Sequence, residues 1–159
     1  MSRSWLFPII VAGLAASIVA VLGATITEIG PWYHSLTQPR WAPPDAVYGV
    51  AWTAIYCCTA LAGVTAWLSM KWREREWLLG LFCLNGFLNI LWSLLFFRFH
   101  RPDWAVIEVL ALWLSVGALI VIIWRRSIVG AVLMLPYLLW VTFAGYLNMT
   151  IVHLNGPFP

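Results

Sequence analysis

Apolar and polar residues are segregated along this chain into long blocks. Five blocks stay apolar for the length of a membrane crossing: Trp5–Thr27, Ala46–Met70, Trp77–Phe97, Trp104–Trp124 and Ser127 to about Val152. A bilayer core of about 30 Å takes about 20 residues of helix, and each block supplies that. The only carboxylate within any of them is Glu108. The pattern predicts an all-α integral membrane protein, a five-transmembrane-helix bundle forming a single domain over residues 1–159. Pro8 falls in the first turn of the first span, where a missing N–H is tolerated. Pro136 falls inside the fifth, where a local bend is expected.

The connections differ in kind. Lys71–Glu76, Arg98–Asp103 and Arg125–Arg126 are tight and imply antiparallel neighbours. The first connection, 28–45, is long and holds Pro31, Pro39, Pro43 and Pro44 beside Trp32, Tyr33 and Trp41. Long loops of such composition are more often functional than idle.

Composition agrees with a lipid environment. Hydrophobic residues make up 63% of the 159 positions, charged residues 9%, and twelve residues are Trp. A soluble domain averages about 45–50% apolar and about a quarter charged. Disorder, nucleic-acid binding and a conventional soluble enzyme are set aside, and a net charge of +3 marks topology and no polyanion partner. Lys and Arg count six (Arg3, Lys71, Arg73, Arg75, Arg125, Arg126) against three (Arg40, Arg98, Arg101) on the two sides. The excess puts the N-terminus inside and the C-terminus outside a bacterial cell membrane; in an outer membrane the count would carry no information. The first apolar stretch is too long for a signal-peptide core and is read as a retained helix.

Candidate chemistry is sparse. Asn85, Asn89, Trp92 and Phe96 share one stripe of the third span. Amides in hydrocarbon face protein, water or a ligand; bonding across helices and orienting a ligand both account for them. Trp52 and Tyr56, with Tyr48 a turn earlier, share a face of the second span. Tyr137, Trp140, Ala144 and Asn148 do so in the fifth. Large rings, small gaps and a few amides suit a planar, mostly apolar ligand, although single aromatics at this spacing more often fill a core.

Glu108 is read as structural, reaching the interface or pairing with Arg98 or Arg101. His34, His100 and His153 are read as solvated interfacial residues. Cys57, Cys58 and Cys83 have no metal or disulfide spacing and are read as small apolar residues. No Ser-His-Asp set, HExxH or phosphate loop occurs. Ala12, Ala16, Ala20 and Ala24 form a small-residue stripe on the first span, and Gly80, Cys83 and Gly86 a shorter one on the third. One is expected to serve packing within the chain and the other self-association.

Together Pro31–Tyr33 (PWY), Gln38–Pro44 (QPRWAPP), Ala51–Tyr56 (AWTAIY), Asn89–Phe97 (NILWSLLFF) and Leu135–Asn148 (LPYLLWVTFAGYLN) resemble the translocator protein or tryptophan-rich sensory protein (TspO/MBR) family, bacterial type, over essentially the whole chain. The resemblance implies a five-helix bundle, commonly a homodimer, that binds porphyrins such as protoporphyrin IX and haem, sterols and aromatic drugs. Its pocket is roofed by the first loop and lined by spans two, three and five. Carried over by motif, the ligand contacts are Trp32, Trp41, Trp52, Tyr56, Asn89, Trp92, Trp140, Ala144 and Asn148. An acid at the Glu108 position is usual in that family.

Animal members end the fifth span with a sterol pattern of branched aliphatic, Tyr, then Lys or Arg. Here no Lys or Arg follows Tyr146, which favours a porphyrin binder. The expected function is therefore a membrane receptor or sensor for porphyrins and related planar apolar ligands, acting in tetrapyrrole transport or regulation. It needs no obligatory cofactor and no metal; porphyrin or haem is the ligand, and its other partners are membrane lipid and a second copy. The alternative is a light-dependent porphyrin-degrading enzyme using the same tryptophans. A small secondary transporter is disfavoured by the lack of inverted repeats and midplane ion ligands.

Overall fold

A computed structural model describes residues 5–158. Arg3 of the charge count and Pro159 lie outside them. The described residues form α1 (Leu6–Ile26), α2 (Pro31–Ser35), α3 (Asp45–Ser69), α4 (Trp72–Ser93), a π-helical turn (Leu94–Arg98), α5 (Pro102–Trp124) and α6 (Ile128–Asn155). Five helices are long and apolar enough to cross a membrane: α1, α3, α4 with its π turn, α5 and α6. The fold is the all-α five-span bundle that the apolar blocks predict.

The helix ends depart from the apolar blocks for local reasons. The Trp72–Glu76 segment is helix and not connection, so α4 begins five residues before Trp77. Arg and Glu are good helix formers, and the Glu74 carboxylate accepts the Lys71 backbone N–H at 2.9 Å, closing the first turn. Arg126 adds an ion pair to Glu74 from the α5–α6 connection. The Ser127 hydroxyl accepts the Gly130 N–H at 3.0 Å and starts α6. That helix continues through Pro136 to Asn155, three residues beyond Val152. Pro102 occupies the first position of α5, where its missing N–H costs nothing.

The closely packed pairs are α1–α3, α3–α6, α6–α5, α5–α4 and α4–α1, so the spans close into a ring. Within the most apolar stretch of each helix, 39% of α5 is buried but only 6% of α1. The first span is a peripheral stave, and α5 backs the core. Short links predict packed neighbours, which holds for α4–α5 and α5–α6. It does not hold for α3–α4, which are joined through Met70 and Lys71 yet are not one of these pairs. A cavity separates them along much of their length.

The tightest approach lies where α6 meets α3 and α5. A Cβ on Gly130 would stand 2.7 Å from Thr65 Oγ1 and 2.8 Å from Ile123 Cγ2. Trp5, Trp72, Trp77, Trp104 and Trp124 are exposed near helix ends, as interfacial tryptophans are.

Candidate functional site

The end of the bundle opposite the Lys71–Arg75 turn encloses a cavity of about 420 Å³. Its walls are mainly aromatic. Trp52 stacks on Tyr56 along α3, with centroids 5.4 Å apart and planes at 25°. Trp92 stacks on Phe96 along α4, at 5.2 Å and also 25°. Trp140 of α6 closes the third side, edge-on to Tyr48 and Trp52 at 5.9 and 6.4 Å. Ala144, one turn beyond Trp140, leaves the gap between the rings.

The π turn adds a wall that periodicity did not reveal. Phe99 N–H bonds to Leu94 O, five residues back. The wider turn brings both Phe96 and Phe97 inward, 2% and 9% exposed, where a regular helix would set them about 100° apart. Such turns are frequent at functional sites. The segment ends at His100, whose φ of 54° is left-handed without being glycine, a costly conformation held in place by surrounding structure.

Amides form the floor. Asn89, 3% exposed, accepts from the Tyr56 hydroxyl at 3.3 Å and donates to the Tyr137 hydroxyl at 3.1 Å. Asn85 donates to Ser115 at 2.9 Å. Both amides thus bond across helices, and Asn89 also lines the cavity. Asn148, 1% exposed, has its amide placed to donate to Pro102 O at 3.0 Å and accept from Val106 N–H at 3.2 Å, tying α6 to the first turn of α5.

Seven of the nine residues carried over by motif line this cavity: Trp52, Tyr56, Asn89, Trp92, Trp140, Ala144 and Asn148. Trp32 and Trp41 do not. Trp32 stacks on His100 at 4.1 Å and 17°, and Trp41 on Tyr146 at 5.2 Å and 20°. They pin the 28–45 segment to the link before α5 and to α6. Asn155 fastens it further, accepting from Thr37 N–H at 2.7 Å and donating to Thr37 O at 2.9 Å. The loop residues that do reach the cavity are Ile29 and Tyr33; Tyr33 is 3% exposed, and its hydroxyl donates to that of Tyr48 at 3.3 Å.

A whole wall was missed. Ala20, Gly23 and Ala24 of α1 and Thr27 just after it line the cavity, and Gly23 lies so near that its Cβ would stand 3.4 Å from the Tyr56 hydroxyl. The alanine stripe, expected to serve either packing within the chain or self-association, lines cavities on the inner side of α1: Ala20 and Ala24 here, Ala12 and Ala16 further along.

Glu108 corrects another expectation. It is 9% exposed, turned into the bundle, and neither carboxylate oxygen has a partner among the described residues. It pairs with neither Arg98 nor Arg101. Asp103 takes Arg101 instead, accepting from its Nε at 2.8 Å and from a terminal nitrogen. The same guanidinium lies over Trp104 at 4.3 Å. All three histidines are exposed.

The sequence model of the TspO/MBR family matches residues 4–154. Protein CrtK of Rhodobacter capsulatus is 34% identical over 86% of this chain and 87% of its own. A tryptophan-rich protein TspO of Archaeoglobus fulgidus is 35% identical over 90% and 97%. A translocator protein of Bos taurus is 32% identical over 93% and 89%.

Proposed function

The chain belongs to the TspO/MBR family of multi-pass integral membrane proteins, and from that premise we propose that it is a receptor or sensor for porphyrins and related planar apolar ligands. The observation that carries the reading is the cavity itself. Stacked pairs on α3 and α4, with Trp140 between them, offer flat faces to a ring system. Large apolar walls with a few fixed amides are what orients a mostly apolar ligand. Trp52, Tyr56, Trp92 and Trp140 would contact the ring faces, and Asn89 and Asn148 its polar edge. Trp32 and Trp41 would act through the roof they anchor.

The sensory name borne by relatives, such as the tryptophan-rich sensory protein of Cereibacter sphaeroides, fits a protein that reports ligand occupancy. Its place is a bacterial cell membrane, N-terminus inside. Self-association falls to the α4 face around Gly80, where a Cβ would meet nothing within 4 Å, since the α1 stripe faces the cavities.

Three indoles on the cavity wall also favour a second reading, light-driven oxidation of a bound porphyrin. One experiment tests both. Purified protein is mixed with protoporphyrin IX, and its absorbance is followed in darkness and then in light. A saturable, stable bound spectrum supports the receptor; bleaching to a new product only in light supports the enzyme. A spectrum identical to that in protein-free micelles refutes both.

A further inference from the structure

A second and larger chamber, of about 610 Å³, occupies the other half of the bundle between α1, α3 and α4. Tyr56 and Asn89 line both chambers, so the hydrogen-bonded floor of the first is the ceiling of the second. We propose that this chamber holds one acyl chain of an anionic phospholipid from the adjacent leaflet.

Three observations select that occupant. Away from the polar end around Tyr56, Thr59, Asn85, Asn89 and Tyr137 the walls are mainly hydrocarbon, with Ala12, Ala16 and Val19 facing Gly63 and Phe82. Along α1 the lining runs from Phe7 to Val19, twelve steps of about 1.5 Å, or about 18 Å. That is close to half of a bilayer core about 30 Å thick, the depth of one leaflet.

The chamber is also open sideways. Phe7, Val11, Ala15 and Leu79 line it and are exposed to the surrounding lipid. A two-chain lipid can therefore lodge one tail and leave the other in the bilayer, with its head at the surface.

The mouth is basic. Arg75 lines it, its Nε donating to Trp67 O and Met70 O at 3.0 and 3.1 Å and its guanidinium lying 4.9 Å from the Trp67 ring. It forms no ion pair among the described residues. Lys71, Arg73, Arg125 and Arg126 share this end with Glu74 and Glu76. Five basic against two acidic residues leave three positive charges facing the headgroups, which attract anionic lipid.

The test is native mass spectrometry of the full chain released from micelles doped with phosphatidylglycerol, phosphatidylcholine or palmitate. It needs no porphyrin and is independent of the function proposed above. One phosphatidylglycerol per chain should be retained, at least about tenfold over phosphatidylcholine, a difference of about 1.4 kcal/mol. Ala16→Phe or Ala12→Phe, each placing a ring in the chamber, should abolish retention while helicity is kept. Arg75→Gln should keep a bound lipid but lose the preference for the anionic head. Equal retention of both phospholipids, undiminished binding in both alanine variants, or displacement of phosphatidylglycerol by palmitate would each overturn the proposal.

Discussion

Asn89→Leu and Tyr137→Phe, made singly and together, measure what the polar crossing beneath the cavity contributes. Asn89 ties α4 to α3 through Tyr56 and to α6 through Tyr137, at 3.3 and 3.1 Å. Leu keeps the branched heavy-atom shape of Asn and leaves no unpaired amide, which by itself suggests an innocuous change. The structure says otherwise, because two tyrosine hydroxyls lose their partner. The Tyr137 ring is only 3% exposed, so its hydroxyl finds no water. An orphaned buried polar group costs about 1–3 kcal/mol, whereas cross-helix hydrogen bonds in membranes average about 0.6 and reach about 1.7 kcal/mol. The longer Tyr56 contact contributes the smaller part. Asn89→Leu should therefore destabilise the bundle by about 1–2 kcal/mol. The double variant should be little worse, since Tyr137→Phe removes the very hydroxyl that Asn89→Leu would orphan. The assay is reversible unfolding by SDS titration in mixed micelles, followed by helical circular dichroism without ligand. Strictly additive losses would show that the Asn89–Tyr137 bond contributes nothing.

Trp140→Ala should weaken porphyrin binding by about 1–3 kcal/mol, the usual loss of an aromatic stacking face, while Trp124→Phe should leave a fluorescence-quenching titration unchanged; the reverse pattern would put the ligand elsewhere. Gly130→Ala should destabilise the bundle by about 1–3 kcal/mol through overpacking, whereas Gly117→Ala, with nothing within 4 Å of its Cβ, should be neutral or stabilising in the same unfolding assay. Asn155→Ala removes both ties to Thr37 and should speed amide exchange across 28–45. Saturating porphyrin should slow that exchange in the parent protein; equal rates would make the segment a plain connector. A reporter fused at the C-terminus should be active only on the outer face of a bacterial cell membrane.

The spans were legible because hydrocarbon imposes a blunt rule: every backbone group must be bonded within its own helix across about 20 residues. Their ends were less so. The charged stretch around Glu74 reads as a link when charge is taken to mean loop, yet its side chains build the first turn of α4. Which helices touch was legible only in part. The chain order of α3 and α4 carries the antiparallel expectation but not the chamber between them, whose third wall is α1. The alanines of α1 show the same ambiguity. Small side chains admit a neighbouring helix or leave a void, and the sequence is the same in both cases.

The cavity walls on α3, α4 and α6 were visible as rings and amides at helical spacing, because each lies on one regular face. Trp32 and Trp41 illustrate where that logic ends. A flat indole at a membrane surface buries its face on whatever ring stands opposite. For Trp32 that ring is His100, whose position depends on a π turn and a left-handed residue that no period encodes. For Trp41 it is Tyr146, on a helix more than a hundred residues away. Both stacking partners belong to the chain itself, so each indole has one face covered from within the protein. Tyr33 is different: it is buried in the cavity wall and its hydroxyl meets Tyr48, one α3 turn before Trp52. Any ligand that presses on the stacked α3 wall from within therefore acts on the loop through Tyr48 and Tyr33. The indoles that make the loop conspicuous in sequence set how firmly it resists.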